Sequence, residues 1–177
     1  NWNRPKLEVR ALMELLISSL TKELKTFQQN GVKLKAIGNL NDLPDNIQKT
    51  LNDTMEATKE NSKCTLTLAL SYGSRTEILD ATKRIADQVA QGTLKPEDIT
   101  EDLFSQYLYT ADIPDPDLMI RTSGEQRISN FLLWQLAYTE LWFSAKMWPE
   151  FTRNDLFEAI FDYQSRERRF GKTSEQL

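Results

Sequence analysis

Arg121 and Arg127, with Ser129 just beyond them, lie in the polar run Arg-Thr-Ser-Gly-Glu-Gln-Arg that follows the short apolar stretch Leu118-Met119-Ile120. A guanidinium is a planar fork of donors that stays charged at any biological pH, so two forks and a hydroxyl suit a multiply charged oxyanion. The apolar stretch reads as a buried strand, and Ser129 reads as the N-cap of an apolar helix over residues 130–138. Strand, cationic loop and capped helix start would bring two guanidiniums, free backbone N–H groups and the positive end of a helix dipole to one volume. A phosphate or diphosphate is the natural occupant. Spacing alone leaves a plainer reading open, in which both arginines are solvated or pair with surface carboxylates.

Composition narrows the chemistry further. The 177 residues contain no histidine, which excludes Ser-His-Asp catalysis, His-ligated zinc and an imidazole base within this chain. The single cysteine, Cys64, excludes an intramolecular disulfide and a cysteine metal set, and its apolar neighbours predict a small core residue. Net charge is -4, so the overall field opposes a nucleic-acid backbone and any anion must be held by a local cluster. What remains for catalysis is arginine, carboxylate and a hard metal. No run approaches the roughly 20 apolar residues of a membrane-spanning helix, and a soluble cytoplasmic protein is expected.

The elements that must position these residues follow from periodicity. Pro5 opens a long helix with Asn3 as its cap; Val9, Leu12, Met13, Leu16, Leu20, Leu24 and Phe27 keep the helical period until Gly31. Its apolar face is wide enough either for ordinary core packing or for lining a hydrocarbon cavity. Residues 32–37 alternate as a strand, and Asp42-Leu43-Pro44 opens a surface helix carrying Ile47, Leu51 and Met55. Residues 64–72 read as a second strand, and a helix from about Thr76 to Gly92 carries Ile78, Leu79, Ile85, Ala86 and Val89. The acidic pairs Glu97-Asp98 and Glu101-Asp102 read as helix-start charges. Residues 141–143 predict a further strand and residues 152–169 a closing helix with Leu156, Phe157, Ile160 and Phe161 inward. Helix and strand alternate throughout, which predicts an α/β fold: a mostly parallel central sheet flanked by helices, in one domain over residues 1–177.

The wording of the chain adds a resemblance. Arg-Thr-Ser-Gly-Glu-Gln-Arg-Ile-Ser-Asn-Phe-Leu-Leu-Trp-Gln closely resembles the diphosphate-binding signature of the cis-prenyltransferases, the bacterial undecaprenyl diphosphate synthases in particular. Asn1-Trp2-Asn3-Arg4-Pro5 looks like that family's Asn-Trp-x-Arg-Pro motif, and Arg169-Phe170-Gly171 looks like its Arg-x-Gly element. The resemblance implies sequential condensation of isopentenyl diphosphate onto an allylic diphosphate such as farnesyl diphosphate, each new double bond cis. It implies Arg121, Arg127 and Ser129 on the isopentenyl diphosphate and Trp2 and Arg4 near the allylic diphosphate. Asn1 would be a polar catalytic residue, Glu140 a ligand of Mg2+, and Arg169 and Gly171 would reach across a homodimer to the isopentenyl diphosphate. A long polyprenyl diphosphate for cell-wall lipid carrier synthesis is the implied product, released with peripheral contact at the inner face of the membrane.

Departures from the family pattern accompany the matches. Gln126 stands where many relatives have histidine, and Ser71 and Ser74 flank Tyr72-Gly73 where asparagine and glycine are common. The family's Met-Asp-Gly-Asn-Gly-Arg-Trp motif, with the aspartate that holds magnesium on the allylic diphosphate, does not occur in residues 1–177. It would precede Asn1, so an N-terminal part is expected to be missing and the chain alone to be inactive. Two rival readings are a non-catalytic partner subunit of a prenyltransferase and a generic phosphate-binding α/β module. Joint retention of Arg121, Arg127, Ser129 and Glu140 argues against the first, and the lack of a Walker or G-x-G-x-x-G sequence gives the second no support.

Overall fold

A computed structural model describes residues 2–169, 171, 173 and 175. By its internal contacts the chain forms two compact units, Asn1–Thr110 and Ala111–Leu177. Both follow the expected α/β pattern of parallel strands with helices.

In the first unit, helix α1 spans Lys6–Asn30 and strand β1 spans Val32–Ile37. Gly31 makes the reversal between them at φ 67°, where a residue without Cβ is least strained, and its N–H caps the Gln28 carbonyl. The predicted Asn3 cap is not made; Pro5 holds the N-cap position without a side-chain bond. Helix α2, Asp45–Thr58, returns the chain to strand β2, Cys64–Ala69, which pairs in parallel with β1 from Val32↔Cys64 to Ile37↔Ala69.

Leu20 of α1, Leu34 of β1, Leu43 just ahead of α2, and Ile47 and Leu51 of α2 form the buried core, each at most 3% exposed. Burial of side chains of this size contributes roughly 1.5–3 kcal/mol apiece. Helix α2 is therefore a core element, not the surface helix its weak hydrophobicity predicts, because its few apolar residues all fall on one inward stripe. Thr58 completes that stripe: fully buried, its hydroxyl accepts from the Leu34 N–H at 3.0 Å and donates to the Thr54 carbonyl at 2.9 Å.

Helix α3 spans Ser74–Ala90, and its buried face is Ser74, Glu77, Ala81 and Ile85, while the expected core residue Leu79 is 58% exposed. The short helix α4, Glu101–Ser105, starts with the Thr100 hydroxyl accepting from the Leu103 N–H at 3.1 Å, and its two acidic residues occupy the first turn as predicted. Cys64 contradicts its sequence reading. It is exposed, because it opens a strand that within this unit pairs on one side only.

In the second unit, strand β3, Leu118–Arg121, pairs in parallel with β4, Glu140–Phe143, from Leu118↔Glu140 to Arg121↔Phe143. Helix α5 spans Arg153–Ser165. Its start is fixed by Asp155, whose carboxylate accepts the Thr152 N–H and hydroxyl, both at 2.7 Å, and an ion pair from Lys146 at 2.5 Å. The helix ends before the predicted residue 169 because Arg166 turns extended, its guanidinium engaged with Glu140, Asp162 and the Leu141 carbonyl. Leu156, Phe157 and Phe161, predicted inward, are 40%, 49% and 74% exposed.

Candidate diphosphate-binding site

Arg121 closes strand β3, so its side chain leaves the sheet at the carboxyl end of a parallel pair, where α/β proteins bind ligands. The loop behind it is tied to the segment after β4: Ser144 N–H reaches the Arg121 carbonyl at 2.8 Å, Ser123 N–H the Lys146 carbonyl at 2.7 Å, and Gly124 N–H the Ser144 carbonyl at 2.9 Å. Anchored in this way, the loop folds back over Arg121. The Arg121 guanidinium donates through Nη1 to Ser129 Oγ at 3.0 Å and to the Arg127 carbonyl, and Arg127 itself pairs with Glu125. Arg121 is thus brought to Ser129 and to the backbone of Arg127, while the Arg127 guanidinium is engaged by Glu125, as the plainer reading of a surface ion pair has it. The expected helix does not form. Residues 129–138 form turns, with Ser129, Asn130 and Leu132 at φ 54°, 61° and 49°. Left-handed residues cannot continue a right-handed ladder, and each costs about 1–2 kcal/mol in a side chain with Cβ. The segment is held instead by burial of Gln135 and Leu136 and by the Thr139 hydroxyl on the Pro116 carbonyl at 2.6 Å. A helix dipole therefore contributes nothing here. The attraction for an anion rests on the guanidiniums and the hydroxyl.

Glu140 opens β4 and is half-buried, its Oε2 accepting from Arg166 Nη1 at 2.8 Å. The hydrogen bond that Arg166 donates to Glu140, then the one it donates to Asp162, raises its pKa and keeps the guanidinium charged. Arg168 donates to Asp117 at 2.5 Å and to the Tyr163 hydroxyl at 2.9 Å. Arg169 pairs with Glu167 at 3.2 Å, and Gly171 adopts φ 80° with open space where a Cβ would stand.

In the first unit, Trp2 Nε1 donates to Ser71 Oγ at 2.8 Å and Ser71 Oγ donates to Asp42 at 2.9 Å. Arg4 pairs with Glu8 one helical turn on. Both Trp2 and Arg4 border a cleft of about 490 Å³ whose apolar wall includes Met13 and Ile17 of α1 and Ile47 of α2. Part of the wide apolar face of α1 therefore borders this cleft, whose lining also carries Lys6, Arg10 and Glu14. Asn1 and Phe170 lie outside the described residues.

A family model described as "Putative undecaprenyl diphosphate synthase" matches residues 1–171. The chain belongs to that prenyltransferase family. Relatives named isoprenyl transferase include those of Chlorobaculum tepidum, 55% identical over all 177 residues and 67% of the relative's length, and of Geobacter sulfurreducens, 52% identical over the whole chain and 72% of the relative. Among solved structures, lavandulyl diphosphate synthase from Lavandula x intermedia in complex with dimethylallyl diphosphate superposes with a TM-score of 0.94 at 40% identity, covering 97% of this chain and 75% of that one. A probable undecaprenyl diphosphate synthase from Campylobacter jejuni gives 0.84 at 39% identity, covering 97% and 78%. The family supports cis-prenyl diphosphate synthase activity and isoprenoid diphosphate substrates.

Sequence reasoning passed over several residues of this prenyltransferase. Glu77 is fully buried, accepting from the Tyr72 hydroxyl at 2.5 Å and the Tyr109 N–H at 2.8 Å. A glutamate on a helix reads as solvated, yet its place on the stripe Ser74, Glu77, Ala81, Ile85 was the available signal. Tyr109 in turn bonds Asp80 at 2.6 Å, and burial, then that bond, pushes its hydroxyl pKa up to about 12. Asp42 read only as a helix start and Arg166 only as part of a closing helix, and neither carried a motif that pointed to its contacts.

Proposed function

We propose that the chain catalyses repeated addition of isopentenyl diphosphate to farnesyl diphosphate with cis double bonds, giving undecaprenyl diphosphate for the cell-wall lipid carrier. The observation that carries this reading is the Arg121 guanidinium held on Ser129 Oγ and the Arg127 carbonyl at the end of β3. Such an arrangement preorganises a polyanion site before any ligand arrives. Arg127 and Ser129 would join Arg121 on the isopentenyl diphosphate, Glu125 giving up Arg127 to the stronger anion.

Trp2 and Arg4 would serve the allylic diphosphate, with its hydrocarbon in the cleft beside Met13 and Ile17. In each cycle the allylic C–O bond breaks and diphosphate leaves with the electron pair. The isopentenyl alkene forms the new C–C bond and loses a proton, leaving one additional double bond. Arg4 stabilises charge growing on the departing oxygen. Each CH2 placed against the apolar wall contributes about 0.8 kcal/mol, which retains a growing chain without specific contacts.

Among the described residues no cluster of three or more carboxylate, histidine or cysteine ligands occurs. Magnesium needs no such cage, since one carboxylate together with substrate oxygens and water suffices. Glu140 would take that role through Oε1, since Oε2 is held by Arg166, and the bound ion would neutralise diphosphate charge. We assign Asn1 a polar catalytic role, and Arg169 and Gly171 a contact with isopentenyl diphosphate across a homodimer. The exposed Phe157 and Phe161 on α5 support pairing of two chains. No helix among the described residues is long and apolar enough to cross a membrane, which fits a cytoplasmic enzyme with peripheral contact during product release.

Binding is the first readout, because it reports on the isopentenyl diphosphate site separately from turnover. Calorimetric titration with isopentenyl diphosphate should show Arg121→Ala and Arg127→Ala each weakened by about tenfold or more, the loss of one charge-assisted bond. Native affinity in both variants would overturn the site.

A further inference from the structure

Serine 71 combines two features that packing does not require. It is a non-glycine residue at φ 46°, and its hydroxyl both accepts from the Trp2 indole and donates to Asp42. A left-handed residue with Cβ is strained, and such strain persists only where surrounding structure enforces it.

The enforcing structure is the pair of turns that leave the carboxyl ends of β1 and β2. Asn39 N–H bonds the Ser71 carbonyl at 3.2 Å, and Leu70 N–H bonds the Ile37 carbonyl at 2.9 Å. Gly38, at φ 114°, lies so close beneath the second turn that an added Cβ would sit 2.0 Å from the Leu70 carbonyl oxygen. The two turns therefore form one rigid edge, and Asp42, Ser71 and Trp2 make a hydrogen-bond chain from that edge to the segment leading into α1. Arg4 is two residues beyond Trp2, at the cleft. Its ion pair with Glu8 ties it to the first turn of α1, and Pro5 at the N-cap makes no side-chain bond.

We propose that Asp42 and Ser71 are positioning residues which, by holding the Trp2 indole, set the Arg4 guanidinium at the mouth of the cleft for an allylic diphosphate. The inference rests on the reading above in which that cleft takes the allylic substrate. Ser71 supplies the two functions the chain needs, an acceptor for the indole and a donor for the carboxylate. Asparagine has both as well and tolerates a left-handed backbone better than most residues.

The test is titration of the chain with farnesyl thiodiphosphate, a non-ionising allylic diphosphate, and separately with isopentenyl diphosphate. Ser71→Ala should raise Kd for the allylic ligand about fivefold, the weight of one ordinary hydrogen bond, and leave Kd for isopentenyl diphosphate unchanged. Ser71→Asn should restore native affinity, and Asp42→Ala combined with Ser71→Ala should lose no more than Ser71→Ala alone, since both cut the same chain. Asp42→Ala alone provides an independent cut, outside the cleft lining, and should show the same selective loss of allylic affinity even if Ser71→Ala folds poorly. Equal allylic affinity in Ser71→Ala and the native chain, or equal loss for both ligands with no rescue by asparagine, overturns the positioning role. Failure of the native chain to bind farnesyl thiodiphosphate at all, with isopentenyl diphosphate still bound, overturns the assignment of the cleft, and this inference with it.

Discussion

Single side chains here owe their state to the atoms they touch, and two of them give sharp pH behaviour. Asp155 is held well below the usual carboxylate range by Lys146 and by Thr152, and Lys146 is raised by Asp155. A depressed carboxylate adds stability that is present above its unfolded pKa, about 3.9, and is lost as pH falls through the folded value. Unfolding by denaturant should therefore show stability declining below about pH 4, and Asp155→Asn should flatten that decline. Tyr109 has the opposite sign. Its neutral form is favoured by burial and by Asp80, so its contribution is complete below the ordinary value of 10.0 and disappears as pH rises to about 12. Tyr109→Phe should remove that alkaline loss in the same denaturation series. Arg166 offers a third test at this scale. It serves Glu140, Asp162 and the Leu141 carbonyl at once, so Arg166→Ala should lower stability by roughly 1–3 kcal/mol, with lysine recovering only part because a point charge cannot span a fork. Full recovery by Arg166→Lys, measured by urea unfolding, would show that charge alone matters there.

Among the elements, glycine positions separate close approach from backbone strain. Gly38 and Gly92 both have positive φ, yet a Cβ at Gly38 collides with the Leu70 carbonyl while one at Gly92 meets nothing within 4 Å. Gly92→Ala should cost about 1 kcal/mol by strain alone. Gly38→Ala should cost several times that, since the β1 and β2 turns must separate; comparable melting temperatures for the two would show the turns to be loosely joined. The same scale shows what was legible beforehand. Strands β1, β3 and β4 and helix α1 fell within a residue or two of their predicted bounds because short alternating runs and a long periodic face have few competing solutions. Residues 129–138 misled because an apolar run after a serine looks identical whether it is wound or turned. What decides it is the left-handed backbone at Ser129, Asn130 and Leu132, which burial of Gln135 and Leu136 imposes and no local pattern announces. The approach of Arg121 to Ser129 was legible in spite of that error, since it depends on β3 and on the ties to residues 144–146, not on a helix; the engagement of Arg127 by Glu125 was the alternative that spacing left open.

Across the whole molecule, net charge and local charge act in opposite directions on an anionic ligand. A chain of net charge -4 repels a diphosphate at long range, whereas in the proposed site Arg121 and Arg127 would attract it at contact. Screening discriminates between them. The Debye length falls from about 30 Å at 0.01 M salt to about 8 Å at 0.15 M, so added salt removes the distant repulsion while contacts near 3 Å are screened far less. Measured by calorimetry across that range, the affinity for isopentenyl diphosphate should change by less than about threefold, in contrast to the losses of several powers of ten seen when many cations neutralise a polyanion. In Arg127→Ala the contact attraction is reduced while the distant repulsion is unchanged, so affinity should be lower throughout and should rise as salt is added. A steep fall with salt in the native chain would mean that the anion is gathered by an extended cationic surface, and the pair at the end of β3 would then not be the site.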